Sequence, residues 1–439
     1  MLFSAILSLS IFSGLVFLFW KLAARDLSFR HLFWPALAFK ILCGIIIGLA
    51  YQGKYDTFLY QKAAESLTAF GFNDFTGYLN LIFFSKLPEP GIIQLGKIKT
   101  YSNSFFFIKP LSLLNFITGS NYFLNSLFFT LFCFAGCWYF VRTVHKFFPG
   151  STFPAVLAFL FFPSVVFWTS GILKESVLLG SLCFFWGAAL NLLYGHGNRK
   201  HFWLLLLLFS GYILWKIKFF LAALVFCLTA AWFVLRWLQQ KFPFFRKPSR
   251  LGLILPVVLL PLAAFIQQWS ESFDIQFFFR RLVSNYNTLQ KLSTGRPVIR
   301  LENFEPTFFS ALANVPEAVL SVFYRPFFWE GNNLLYRLAG IENLVLLVLS
   351  LGIFSVFYKG RPKQIPGFYF VLLVYIFIMA TIFGLSTPNL GSLNRYRSAI
   401  LPFFIFLLLQ LPVWKNMLIR FNRLFFRQAA NVANRMRKP

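Results

Sequence analysis

The chain has 439 residues, 58% of them hydrophobic and only 12% charged, about half the charged fraction of an average soluble domain, which excludes water as its main solvent. Its 41 basic residues against 13 acidic ones leave a net charge of +28, yet the cations stand in short clusters between apolar runs, with no contiguous soluble stretch to build a nucleic-acid groove. The composition therefore predicts an all-α polytopic membrane protein, a transmembrane helix bundle whose partner is the lipid bilayer and not nucleic acid.

A spanning helix needs about 20 mostly apolar residues. From the N-terminus, such windows fall near 2–20, 31–50, 121–141, 152–170, 175–194, 202–217, 219–236, 251–268, 337–358, 367–385 and 398–413, about 11 in all. The first has no basic residues ahead of it and runs straight into the second, so no cleavable signal peptide is expected. Two connections, near 51–120 and 269–336, are long. Their apolar stretches at 105–118, interrupted by Lys109 and Pro110, and at 308–328, interrupted by Pro316 and Pro326, are expected to lie flat at the interface or to dip in as re-entrant helices. Residues 1–414 then form one transmembrane domain, and 415–439, with arginines among Phe and Leu, a basic amphipathic tail on anionic headgroups or a solvated one. Cys43, Cys133, Cys137, Cys183 and Cys227 all fall in apolar spans, where buried free thiols are expected; Cys133 and Cys137 share a helix face but lack further ligands, so no metal site is assigned.

Cytoplasmic connections retain Lys and Arg, and the clusters beginning at Lys21, Arg142, Arg199, Arg236, Lys359 and Lys415 fall on alternate connections. This threading puts the N-terminus outside and the C-terminus in the cytoplasm. It also sends 12 of the 13 acids outside, all but Asp26, and all four histidines inside. An external site then has to work without imidazole.

Five places on the external rim carry ionisable groups that the charge bias disfavours. Asp56, after the second span and flanked by tyrosines and Thr57, suits a general base raised in pKa by partial desolvation; a helix cap or solvated loop acid is the plainer reading. Lys174 and Glu175 follow Gly171 in a near-loopless turn between spans, either as an anion site at a helix start or as a snorkelling pair at a hairpin tip. Lys216 and Lys218 interrupt a long apolar run and mark a tight outward turn. Arg325 and Glu330, with Trp329 and Asn333, line a polar pocket or form a structural pair. Asn394, Arg395, Tyr396 and Arg397 precede the last span; two arginines at i, i+2 offer bidentate phosphate recognition, or simply anchor the interface. Jointly, one candidate base and several cations at one membrane face fit an anionic lipid as substrate.

An acid soon after the second span in a long first external loop, many short spans and an Arg-x-Arg turn before a late span resemble the GT-C superfamily of lipid-linked-sugar glycosyltransferases. The stretch from Phe161 to Glu175 also resembles bacterial envelope proteins of the polysaccharide-polymerase type. The resemblance implies a bacterial inner-membrane enzyme in which Asp56 binds or deprotonates the acceptor hydroxyl. It implies that Arg395 and Arg397, with Arg325 and Lys174, hold the phosphate of a polyprenyl-linked sugar, supported by Glu175, Lys216, Lys218, Glu330, Asn394 and Tyr396. Asp56 is not followed by a second acid, which weakens any claim for a divalent metal, and no soluble domain follows the last span. A flippase or transporter of an anionic lipid-linked substrate, and a non-catalytic subunit of an envelope assembly complex, stand as alternatives.

Overall fold

The computed structural model describes residues 2–24, 27–52, 56–85, 98–195, 197–242, 275–331, 333–356 and 366–420. In chain order the helices are α1 (Leu2–Ala23), α2 (Phe33–Ala50), α3 (Asp56–Asn73), α4 (Phe75–Phe84), α5 (Asn103–Thr118), α6 (Tyr122–Phe147), α7 (Thr152–Val156), α8 (Pro163–Trp168), α9 (Lys174–Tyr194) and α10 (Lys200–Ile217). There follow α11 (Phe219–Lys241), α12 (Ile275–Lys291), α13 (Phe308–Tyr324), α14 (Leu334–Leu351), α15 (Gly367–Ser386), α16 (Leu390–Tyr396), α17 (Leu401–Leu408) and α18 (Pro412–Arg420). Among the described residues the fold is all-α, with a single isolated bridge, between Val298 and Asn389, as its only β pairing.

Among the described residues, eight helical segments are long and apolar enough to cross a membrane, or nine if the bent pair α17–α18 counts as one span. Eight of the 11 expected windows correspond to these helices, and two differ from the expected form. The window at 152–170 is not one helix: α7, a π turn and α8 replace it, because Pro163 has no N–H to continue the ladder and holds Phe162 in an extended conformation. The window at 398–413 is bent by 82° between α17 and α18. The window at 251–268, the cluster at 246–250 and the tail beyond Arg420 lie outside the described residues. Exposed Leu, Ile and Phe side chains cover the outer faces of α1, α10 and α14, a surface that hydrocarbon accepts and water does not.

The chain divides into two compact units. The first comprises Met1–Phe147 and Phe159–Ala223, the second Phe148–Ala158 and Leu224–Pro439. In the first, α6 and α9 form the core. They cross where Gly136 meets Gly180; a Cβ on Gly180 would lie 3.0 Å from Cys133 Cα, so only glycine lets these backbones approach so closely. Asn191, near the end of α9, bonds Tyr139 and Thr143, near the end of α6, so the two helices run in the same direction. The five cysteines are free, four of them buried.

The first long connection is helical at its apolar stretch, 105–118, which lies within α5. Its described residues fold into α3, α4 and α5, packed around a buried polar network. Asn125 Nδ2, from α6, donates to Gln61 Oε1 at 3.1 Å and to Asn115 Oδ1 at 2.7 Å, and its Oδ1 accepts from Thr118 Oγ1 at 2.8 Å. Asn115 Nδ2 continues to Thr68 Oγ1 at 3.2 Å, and the Tyr78 hydroxyl meets Ser112 Oγ at 2.8 Å. Helix α5 passes through Pro110 unbroken, and α13 through Pro316. Burial of Phe105, Phe107, Ile108 and Leu111 on one side of α5 outweighs the one backbone bond that Pro110 forfeits.

In the second unit, α13 packs against α15 at Gly384 and Ala318, and Leu282, Ala311, Ala318 and Leu385 form a buried cluster. The amphipathic α12 turns Phe278, Phe279, Leu282 and Tyr286 inward.

Candidate functional site

In the first unit, three of the five places share one end. Asp56 opens α3 and is exposed. Thr57, beside it, is buried, and its hydroxyl meets that of Tyr122 at 2.7 Å. One turn further on, Tyr60 lies beneath Lys174, whose Nζ is 5.1 Å from the ring centroid. Lys174 Nζ donates to Asn103 Oδ1 at 2.9 Å and Ser104 Oγ at 2.8 Å, at the start of α5. The same Asn103 donates through Nδ2 to the carbonyl of Ile217 at 3.1 Å, between Lys216 and Lys218. Lys174, Lys216 and Lys218 therefore gather around the N-terminus of α5, where the helix dipole already favours an anion.

Lys109 extends this cationic end. Its Nζ donates to the Ile82 carbonyl at 2.6 Å and to Ser85 Oγ at 2.9 Å, so it closes the C-terminus of α4. Burial, and then the nearby charge of Lys216, holds its pKa below the ordinary lysine value.

The turn after α8 is not a solvent-facing tip. Thr169, Ser170, Gly171, Ile172, Leu173 and Glu175 are all buried. Gly171 takes φ +73°, and its N–H donates to Thr130 Oγ1 at 2.9 Å; a side chain there would be strained. The snorkelling-pair reading fails for this reason: Lys174 reaches the rim, while Glu175 is enclosed in the first turn of α9.

Sequence reasoning missed Lys40. It stands midway along the candidate span Arg30–Ala50, is 3% exposed, and donates to Thr169 Oγ1 at 2.7 Å. Its signal was plain: a lone cation inside an apolar window, the kind of residue that bilayers tolerate only when paired or used. Thr169→Val removes its acceptor and should cost about 1–3 kcal/mol. Lys40→Met should cost less, since Thr169 Oγ1 still donates to the Val165 carbonyl at 2.6 Å. Thermal unfolding of the two variants in detergent checks the order; a Lys40→Met protein that is stable but inactive would assign Lys40 to function.

In the second unit, an open cavity of about 560 Å³ is lined by Gly295, Arg296, Arg300, Glu317, Arg325 and Glu330. It is built on an extended segment. Ile299 N donates to the Pro388 carbonyl at 2.8 Å; the Tyr286 hydroxyl donates to the Ile299 carbonyl at 3.1 Å and accepts from Leu301 N at 3.0 Å. In extended chain alternate side chains share a face, so Ile299 is buried while Arg296 and Arg300 stay exposed. Neither arginine was singled out from the sequence, though the alternation Arg-Pro-Val-Ile-Arg carries the signal.

Arg325 faces the same cavity as a paired cation. Its Nε donates to Glu330 Oε1 at 2.8 Å, Nη2 lies 2.6 Å from the same oxygen, and Nη1 lies 3.6 Å from Glu317 Oε1. Glu330 Oε2 also accepts from Phe327 N at 2.8 Å. The pair is thus a structural clasp that also lines a polar pocket. The bridge between Val298 and Asn389 ties the segment to the turn before α16, so the fourth and fifth places meet within one unit.

Of the Arg-x-Arg pair, Arg395 is half-buried beside Tyr396, whereas Arg397 is 0% exposed. Arg397 Nη1 donates to the carbonyls of Val322 at 3.2 Å and Phe323 at 3.5 Å, closing the end of α13. Its burial pushes its pKa down to about 10, against the upward pull of Glu342. The expectation that both arginines face a lipid phosphate is corrected: Arg397 offers a headgroup no surface. Asn394 is buried with it, while Tyr396 remains partly exposed.

Among the described residues no group of three or more His, Cys, Asp or Glu side chains is placed to hold a metal ion. These features define a polytopic helical membrane protein with cationic rims in both units. No family model matches the chain, and no curated protein or solved structure shows significant similarity to it.

Proposed function

We propose that the protein is a glycosyltransferase of the bacterial inner membrane that moves a sugar from a polyprenyl-phosphate or -pyrophosphate donor to an acceptor at the outer face. The observation that carries this reading is the end of the first unit where Asp56 opens α3 and Lys174 is anchored at the start of α5 beside the turn of Lys216 and Lys218. Asp56 takes the proton of the acceptor hydroxyl as its oxygen bonds the anomeric carbon. The bond from that carbon to the phosphate oxygen breaks, and its electron pair stays on the phosphate, neutralised by Lys174, Lys216 and Lys218. In the second unit, the cavity of Arg296, Arg300 and Arg325 is a separate basic pocket, where three guanidinium groups against two carboxylates, one of them committed to Arg325, leave net positive charge.

Reconstitution with a radiolabelled polyprenyl-phosphate sugar tests this directly. Lys174→Gln combined with Lys216→Gln removes two charge-assisted contacts, together about 3 kcal/mol or more, so kcat/KM for the donor should fall roughly 100-fold. Unchanged donor kinetics in a folded double variant would remove this cluster from the reaction. Lys40 favours one second reading, transport of the same lipid, because buried intramembrane cations mark substrate pathways. Movement of labelled donor between leaflets, with no new glycosidic product, would select it.

A further inference from the structure

The first unit carries a second cavity, of about 890 Å³, at the end remote from α3–α5. Along α6, Asn125 in the polar network and Arg142 at the cavity are separated by about 25 Å, at about 1.5 Å per residue, close to the thickness of a hydrocarbon core of about 30 Å. Arg142, Lys146, Arg199 and Lys200 all line it. Among the described lining residues there is no Asp or Glu. Basic residues near the end of a span are ordinary, but ordinary ones stand apart in solvent; here two pairs from separate connections converge on one concave wall.

That wall is constructed. Asn191 is 4% exposed and donates through Nδ2 to the Tyr139 hydroxyl at 3.1 Å and the Gly187 carbonyl at 3.0 Å. Its Oδ1 accepts from Lys146 Nζ at 3.1 Å, which fixes that cation against the wall. Arg142 Nη1 is steadied by the Leu22 carbonyl at 3.3 Å. Tyr139 stacks on Trp203 with ring centroids 5.9 Å apart, giving the cavity an aromatic side. Arg199 is the N-cap of α10, and no side chain caps that helix, so its first-turn N–H groups add positive potential at the same place.

We infer that this cavity binds a phosphate monoester or diester at the membrane surface, with Arg142 and Arg199 as its principal contacts and Tyr139 and Trp203 packing against whatever the phosphate carries. The site is independent of the proposed transferase reaction and lies at the other end of the spans. Basic pockets between membrane helices are suited to anionic headgroups, and a soluble phosphate ester presents the same group.

The full-length protein, purified in a phosphate-free neutral detergent, is titrated with short-chain phosphatidylglycerol, short-chain phosphatidylcholine and inorganic phosphate, and binding is read from tryptophan fluorescence. Saturable binding of phosphatidylglycerol, at least about tenfold tighter than phosphatidylcholine, is expected, with a further loss of about tenfold or more in Arg142→Gln combined with Arg199→Gln. Competition by inorganic phosphate at similar concentration would assign a soluble ester as the source; its failure to compete would assign the lipid. Both arginines are exposed, so the variant should fold, and Lys146→Gln combined with Lys200→Gln gives a second test with the same expectation. Equal binding of the two lipids, or undiminished phosphatidylglycerol binding in either folded variant, overturns the inference.

Discussion

Asp56→Asn should lower sugar transfer by roughly 100- to 10,000-fold, the usual contribution of a positioned general base, while leaving membrane insertion and thermal stability unchanged. The stability expectation follows from placement. Asp56 is exposed at the first residue of α3, whereas the buried contacts of that helix begin with Thr57, Tyr60 and Gln61. An Asn there matches its size and still serves a helix start, while its amide cannot accept the proton. The chemical expectation follows from its neighbours: Tyr60, one turn on, lies under Lys174, and Lys174 is anchored at Asn103 and Ser104. In the proposed reaction a carboxylate accepts the acceptor's proton at the end of the unit where a fixed cation holds the anionic donor. Single-turnover transfer from labelled donor in proteoliposomes measures the effect. Normal product from the variant would end the catalytic role of Asp56 and leave the cationic rim to binding alone.

Asn125→Leu should be the most damaging substitution for the fold, costing roughly 2–6 kcal/mol, about 1–3 kcal/mol for each of two buried acceptors left unpaired. Asn125 is 0% exposed, and its Nδ2 serves both Gln61 Oε1 and Asn115 Oδ1. Leucine matches its bulk and supplies neither donor. Thr118 Oγ1 is less affected, because it also reaches the Leu114 carbonyl at 3.0 Å. Since α3 and α5 are joined to α6 through this residue, the substitution should loosen the helices that carry Asp56 and the anchor of Lys174. Limited proteolysis within α3–α5, together with a lowered thermal midpoint, is the expected readout; a loss under about 1 kcal/mol, less than one unpaired buried acceptor costs, would show that apolar packing holds these helices without the network.

The long spans were legible because a continuous apolar run is a property of composition, visible without knowing what packs on what. Helices α3 and α4 were not legible. Their inward faces carry Thr57, Gln61, Thr68 and Tyr78, which hydropathy counts as polar, and their burial depends on partners in α5 and α6 as far as 65 residues along the chain. Proline is an ambiguous signal here: α5 and α13 continue through Pro110 and Pro316, where packing overrides the break, while Pro163 does interrupt the window at 152–170.

At the rims, charge read against the positive-inside bias selected Lys174, Lys216 and Arg325, and each takes part in a polar cluster. The same criterion could not separate Arg395 from Arg397, because burial is decided by the carbonyls of α13, 75 residues earlier in the chain. Arg296 and Arg300 carry a weaker signal, because a period of two over five residues is too short to stand out in a helical chain.

The central claim is that the α3–α5 connection and the arginine cavity both belong to the non-cytoplasmic surface. In a cysteine-free background, single cysteines replacing Lys62 and Arg296, both exposed, are challenged in intact cells with a membrane-impermeant maleimide, with Arg199 as the cytoplasmic control. The account predicts labelling of K62C and R296C without permeabilisation, and of R199C only after it. Protection of either K62C or R296C in intact cells, with labelling on permeabilisation, would contradict the account.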